Sequence, residues 1–493
     1  MSNTGKFILK SLDGVISSNL LVGTAYLTNR IQTIYKQYGE DDKLSVLSEL
    51  NKTHLLHIYS EFKQMTPIAN EYTRLQSRSG GVSWGGEAAF DLPDIGHFWS
   101  DMVLNLAVGE IGKKGADPYG GAPLYNYCKL PGIRIIEEVN LTIDGNPIDK
   151  YTSDDVIMMY NFETPTHKRS ALERCLGQEQ PKVGYITYSD YSLREKRFIM
   201  NGPQTPRPYQ PVLDMWIPTK FWFNEGIENA LCASSVPYGQ RFIKFKLTDY
   251  ANVIKKTDVD GNVLPLEVSE IPSIVKCSLY VNNIILDPAV YDLFLDKATF
   301  RLARVFNSMN VALTTPNGRV WINKFKYPTE QMYFGFRPME NRKTVEHWHK
   351  FKKIDRNPIP IPIAKFAGGT TPNLLRESIY YWNENQLINQ LTFTIGGFKL
   401  YENMVPSFFN SYLPSKKSMI VAPNDIGMFY IPFNQRPLDG TLSGFIDFSR
   451  IREFYIEYAS DFISTETESE LILSSRSINF LIISKTMALK FAT

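Results

Sequence analysis

Cysteine is scarce in this chain of 493 residues: there are four, Cys128, Cys175, Cys232 and Cys277. No two stand in a CxxC pair, so neither a zinc knuckle nor a disulfide framework is expected, and a reducing cytoplasm is the expected place of folding. Long apolar runs are missing too. Nothing approaches the ~18 residues of a membrane-spanning helix, and Lys10 and Asp13 interrupt Phe7–Leu9 before the apolar core of a signal peptide forms. Charge of one sign is absent as well, with 53 basic against 51 acidic residues and a net charge of +2. A dedicated nucleic-acid binder gathers a basic excess on one face, so direct nucleic-acid binding is not expected. The same balance leaves little repulsion between copies of the chain.

Motifs that carry chemistry are equally thin. His347 and His349 flank Trp348, and a strand would aim both imidazoles to one face, but no nearby Cys or His completes a zinc site. Asp258-Val-Asp260-Gly261 opens like a calcium loop and then lacks the later acidic ligands, so a hairpin turn is expected. Gly109–Lys114 lacks the spacing and the Ser/Thr of a phosphate loop, and no nucleophile elbow occurs. Glu137-Glu138 and Asp154-Asp155 are sequence neighbours that strand alternation would send to opposite faces, where solvation is expected. Asn51-Lys-Thr53 and Asn140-Leu-Thr142 fit the glycosylation pattern without a secretory route. The expectation is therefore no catalytic residue, no cofactor and no metal.

Aromatics and turn formers are abundant: 13% aromatic residues, 29 prolines and 31 glycines favour short strands over helical bundles. The length calls for two domains. Helical spacing is clearest near the start, at Leu20, Leu21, Ala25, Leu27, Ile31, Ile34 and Tyr35. Strands are expected at His54–Phe62, Trp84–Leu92, Phe98–Val108, Val156–Phe162, Leu213–Phe223, Phe242–Leu247, Phe300–Leu313, Val320–Tyr327 and Met332–Phe336. More are expected at Gly427–Pro432, Phe445–Phe448, Phe454–Tyr458, Leu471–Ser474 and Ile478–Ile483, and Ser278–Asp287 begins a strand–turn–strand unit. Gly109–Gly132, Thr164–Tyr191 and Arg337–Pro372 are expected as loops, long enough to form exposed crowns. Leu141–Tyr151 and Leu391–Tyr401 echo each other: Leu-Thr opens a strand, a turn containing Gly follows, and a short strand ends in Tyr. The reading is an all-β chain with an N-terminal arm (1–50) and two sandwiches (51–297 and 298–493).

The stretch Asn201–Leu247 carries a resemblance in NGPQTP, YQP, LDMWIPTKFWFNE and VPYGQRFIKFKL. Further matches keep one order along the chain: Asp101-Met102-Val103, Asp144-Gly145-Asn146, Leu279–Asn283, His347–Phe351, Arg452–Ile456 and Ser477–Leu481. Together they resemble the double jelly-roll major capsid proteins of African swine fever virus-like large DNA viruses. That resemblance implies two tandem eight-stranded jelly-roll sandwiches with long crown loops, and three copies forming a pseudo-hexameric capsomer, or hexon, of an icosahedral virion capsid. It also implies an N-terminal base facing minor capsid proteins and a nearby inner membrane, penton neighbours, a virus-encoded chaperone and assembly in cytoplasmic viral factories. The chain is shorter than the family pattern, with the missing residues expected after Tyr160–Glu179 and after His347–Phe351. Two alternatives are a membrane-templating scaffold of the same fold and a β-sandwich carbohydrate-binding protein. The latter would use Trp216, Trp222, Trp348 and Trp382 as stacking platforms, although their apolar settings suggest core positions.

Overall fold

The computed structural model describes residues 68–490 except 79, 93–94, 117–120, 181, 188–193, 200–201, 234–235, 237–240, 287–290, 292–298, 355–358, 363–377, 382–383, 418 and 485–486. The N-terminal helical candidate, the His54–Phe62 strand and Trp382 lie outside the described residues. The chain separates into two compact units, 1–69 with 286–291 and 70–285 with 292–493. The larger unit holds the sheets.

Among the described residues, sixteen strands make the paths of four main sheets, and the short strands Leu231–Cys232, Ile446–Asp447 and Met487–Lys490 pair off those paths. The first eight are β1 (Ile68–Gln76), β2 (Glu87–Asp91), β3 (Phe98–Val108), β4 (Ile136–Ile143), β5 (Asn146–Thr152), β6 (Leu213–Pro218), β7 (Arg241–Leu247) and β8 (Ile274–Leu286). They pair as β1-β8-β3-β6, here sheet 1, and β2-β7-β4-β5, sheet 2. The second eight are β9 (Thr299–Leu313), β10 (Asn317–Trp321), β11 (Pro328–Pro338), β12 (Gln390–Ile395), β13 (Phe398–Met404), β14 (Met428–Pro432), β15 (Phe454–Ala459) and β16 (Ser469–Ser484). They pair as β9-β16-β11-β14, sheet 3, and β10-β15-β12-β13, sheet 4. Each strand of the second set takes the place of the strand eight before it. Eight strands in two sheets with this order is the jelly roll, present twice.

The two echoing hairpins hold the same place in their sheets. Asp144 and Gly145 (φ 52° and 75°) join β4 to β5, and Gly396 and Gly397 (φ 57° and 82°) join β12 to β13. Two residues with positive φ match the right-handed strand twist, which accounts for glycine in each turn. Alternation sets the faces of β7. Arg241, Ile243, Phe245 and Leu247 point inward, while Lys244 and Lys246 point outward to Glu87 and Glu137.

Several expectations are corrected. Val156–Phe162 is not a strand: Ser153–Glu163 is a helix, α1, followed by the surface helix α2 (Thr166–Cys175) inside the expected Thr164–Tyr191 loop. The Leu213–Phe223 run leaves the sheet at Pro218 and ends in a 3-10 turn at Trp222–Asn224. The Asn282-Asn283 pair is not a turn: both residues lie within continuous β8, at a bulge, with side-chain amides bonded to Asp101 and Thr73. Leu471–Ser474 and Ile478–Ile483 are one strand, β16, running unbroken through Ser475, Arg476 and Ser477. The Gly109–Gly132 loop contains short strands at Ile111–Gly112 and Leu124–Tyr127, then a helical turn at Pro131–Arg134. Asp258–Gly261 is the hairpin turn expected, with Asn262 N donating to Asp258 Oδ1 at 2.7 Å.

Candidate functional site: the seam between the two sandwiches

Strands β11, β14 and β16 have both faces buried, which explains their near-continuous apolar text. Met332, Phe334, Phe336, Phe429, Ile431, Leu471 and Leu473 face the core of the second sandwich. The alternate residues Tyr333, Met428, Tyr430 and Ile472 join the core of the first. Period-two alternation thus divides sheet 3 between two cores.

Against that sheet sits α1. Thr152 caps it: its hydroxyl accepts from Asp155 N, and Asp155 Oδ2 accepts from Thr152 N at 2.8 Å. Ile157, Met158, Met159 and Phe162 are buried in different directions, as in a helix enclosed on all sides. The Phe162 ring stacks on Tyr333 with centroids 5.1 Å apart, and its carbonyl accepts from Val421 N at 2.8 Å. On the other flank Trp348 is buried, donates through Nε1 to Lys129 O at 2.9 Å and lies 5.0 Å beneath the Arg134 guanidinium.

Charged groups are enclosed in the seam. Arg337 grips Asp154 with two bonds of 2.8 and 3.0 Å and donates from Nε to Glu470 Oε1 at 2.7 Å. Burial opposes its charge, but Asp154 and Glu470 outweigh burial and raise its pKa. Arg476 pairs with Glu225 and covers the Phe306 ring at 4.2 Å. Burial again opposes the cation, and Glu225, Glu163 and Asp149 overcome it. Tyr333 Oη donates to Glu163 Oε1 at 2.8 Å. Asp149 Oδ1 accepts from Phe306 N at 3.0 Å, and burial pushes its carboxyl up to about 7. The expected solvation of Asp154 and Asp155 is therefore wrong: one is an ion-pair partner and the other a buried cap. The Thr152-x-x-Asp155 spacing was the overlooked sign.

His347 and His349 lie in a run of turns, not on a strand. Burial, with Lys129 and Lys350 nearby, pushes His349 down to about 3. No cluster of three metal-ligating side chains occurs among the described residues. Trp222 and Trp348 are core residues, whereas Trp216 is exposed on sheet 1, beside Tyr280 at 5.1 Å. The seam joins two β-sandwiches into one body.

Two eight-strand sandwiches in one order, joined by a seam with enclosed charges, make this a double jelly-roll fold. Residues 58–287 match the family model for the major capsid protein N-terminus. The chain is 26% identical to a major capsid protein of African swine fever virus (isolate Pig/Kenya/KEN-50/1950) and 25% identical to hexon protein p72 of the Tick/Malawi/Lil 20-1/1983 isolate, with all of this chain and all of each relative covered. More particularly, then, it is similar over its full length to the African swine fever virus major capsid protein, and these relatives are structural proteins, not enzymes. The alignment spans 651 positions against 493 residues, so 158 have no counterpart here, in keeping with the shortened chain expected. Among solved structures, the Faustovirus major capsid protein matches with a TM-score of 0.76 at 22% identity, over 89% of this chain and 94% of that one. The PBCV-1 virus capsid protein matches with a TM-score of 0.62 at 16% identity, over 88% and 99%. Both share the fold.

Proposed function

We propose that three copies of this chain associate into a pseudo-hexameric capsomer and that capsomers tile an icosahedral virion shell. The observation that supports this most is the eight-strand offset between sheets 1–2 and 3–4, which gives each copy two equivalent lobes and a trimer six. The lobes divide as 51–297 and 298–493, and 1–50 forms a base arm. The arm faces minor capsid proteins and the inner membrane, with penton proteins at the vertices and a virus-encoded chaperone assisting folding in the host cytoplasm. Burial of apolar surface, repeated by symmetry, drives association. Electron microscopy of the purified protein tests this: six-lobed hexagonal outlines are expected, and single two-lobed particles would overturn it. The carbohydrate-binding alternative has little to rest on, since Trp222 and Trp348 are buried.

A further inference from the structure

The flank of the seam gathers positive charge around Trp348. Its indole N–H, bonded to Lys129 O at 2.9 Å, sets Lys129 of the first sandwich beside the turn His347–Lys350 of the second. Lys350 N donates to His347 O at 2.8 Å, and Asn341 Nδ2 donates to the Lys350 and Lys352 carbonyls at 3.0 and 2.9 Å. The turn is pinned.

Its charges do not balance. Lys350 and Lys352 share one carboxylate, Glu384. Lys129 has no ion-pair partner among the described residues. Of the carboxylates that act on it, Glu384 is already taken and Glu179 accepts from the Thr205 hydroxyl at 3.1 Å. Lys255 pairs with Glu346 at 2.8 Å and cancels. Asp425 turns to the Phe351 and Gly427 amides, at 2.7 and 2.9 Å, and burial raises its pKa. Three ammonium groups thus answer to one carboxylate, a surplus of two positive charges. Enclosed charge calls for a counter-charge.

His347 and His349 add donors. The Nδ1 atom of each is buried without a partner. An enclosed, unbonded N–H is costlier than an enclosed lone pair, so the proton of each neutral ring belongs on Nε2, away from the packed side. Lys129, Lys350 and Lys352 all oppose a charge on His349, and no carboxylate offsets them there.

We infer that a divalent oxyanion of the phosphate class binds here, bridging Lys129 of the first sandwich to the His347–Lys350 turn of the second. Its two charges match the surplus, and its oxygens accept charge-assisted bonds from the ammonium groups and bonds from the imidazole N–H groups. Lys350 and Lys352 are only 19% and 10% exposed, too enclosed for a polymer backbone to enter. The ligand is therefore a free ion or a terminal phosphoryl group. Bound only by the folded chain, it stabilises the join between the lobes by mass action. The site lies within one chain and does not depend on capsomer assembly.

The test is equilibrium dialysis of the full-length chain against radiolabelled inorganic phosphate, with ionic strength held constant by chloride. One ion per chain is expected. Lys129→Gln should weaken binding about tenfold or more, as loss of one charged hydrogen bond does. Lys168→Gln, on α2, should leave binding unchanged. Both lysines are exposed, and circular dichroism checks folding. Thermal unfolding is the second readout: phosphate should raise the midpoint of wild type and Lys168→Gln more than that of Lys129→Gln. A nucleoside monophosphate, offered separately, distinguishes the source. Its binding through Lys129 places a terminal phosphoryl group in the site, its exclusion leaves the free ion, and either upholds the site. Phosphate that fails to bind wild type, or that binds wild type and Lys129→Gln equally, overturns it.

Discussion

Arg337 on β11 and Asp154 at the start of α1 meet through two parallel bonds, Nη1 to Oδ1 at 2.8 Å and Nη2 to Oδ2 at 3.0 Å. The pair ties the second sandwich to the first, and Glu470 and the Trp348 carbonyl occupy the remaining donors. Truncating one partner of a buried pair leaves the other charge unpaired, which costs about 3–5 kcal/mol. Arg337→Ala should therefore lower stability by that order in chemical denaturation. Arg337→Lys should recover only part of it, since an ammonium cannot reproduce the fork. Equal stability of Arg337→Lys and wild type would show that the bidentate geometry contributes nothing.

Gly335 and Gly427 form a slot for Phe351. A Cβ on Gly427 would lie 2.0 Å from the Phe351 carbonyl oxygen, and one on Gly335 would lie 2.5 Å from its ring. Backbone cannot yield as a side-chain tip can. Gly427→Ala should cost about 1–3 kcal/mol or more, as overpacking does. Gly397→Ala, in open space, faces only the strain of its φ of 82° and should cost less. Thermal unfolding of the two variants ranks them; the reverse order would contradict the packing described.

Asp149 makes a pH prediction. Burial raises its carboxyl from 3.8 to about 7, so between those values the folded chain holds a proton that the unfolded chain has released. Stability from this group falls as pH rises through that window, by at most about 1.4 kcal/mol per pH unit. Asp149→Asn keeps an oxygen for Phe306 N and removes the slope, so its stability relative to wild type should improve from pH 5 to pH 8. His349 works oppositely, since a pKa lowered to about 3 costs stability as pH falls below 6.5. It is common to both proteins and drops out of the comparison. An unchanged difference at the two pH values would show that Asp149 titrates normally.

Much of the sandwich was legible and the seam was not. Phe98–Val108 and the Asp144-Gly145 turn could be read because period-two alternation and turn chemistry are local. Val156–Phe162 misled because a helix buried on every side carries no amphipathic stripe, and its apolar text matches that of a strand. Arg476 lies in a polar stretch of β16 that looked like a break, and Arg337 at the start of what looked like a loop. Both are held by carboxylates far away in sequence, on α1 and beside β6, which no local pattern announces. The resemblance of Asn201–Leu247 supplied the fold where periodicity alone left the number of strands open.

The arm proposed for residues 1–50 has its own consequence. Deletion of residues 1–45 should leave the capsomer intact by sedimentation while impairing assembly beyond it. Loss of the capsomer itself would place the arm within its core.

The most direct measurement is the mass of the purified full-length chain by light scattering after gel filtration. Three copies of 56.4 kDa predict a single species near 169 kDa. A stable, folded species at 56 kDa would contradict the account, because a six-lobed capsomer needs three copies of a two-lobed chain.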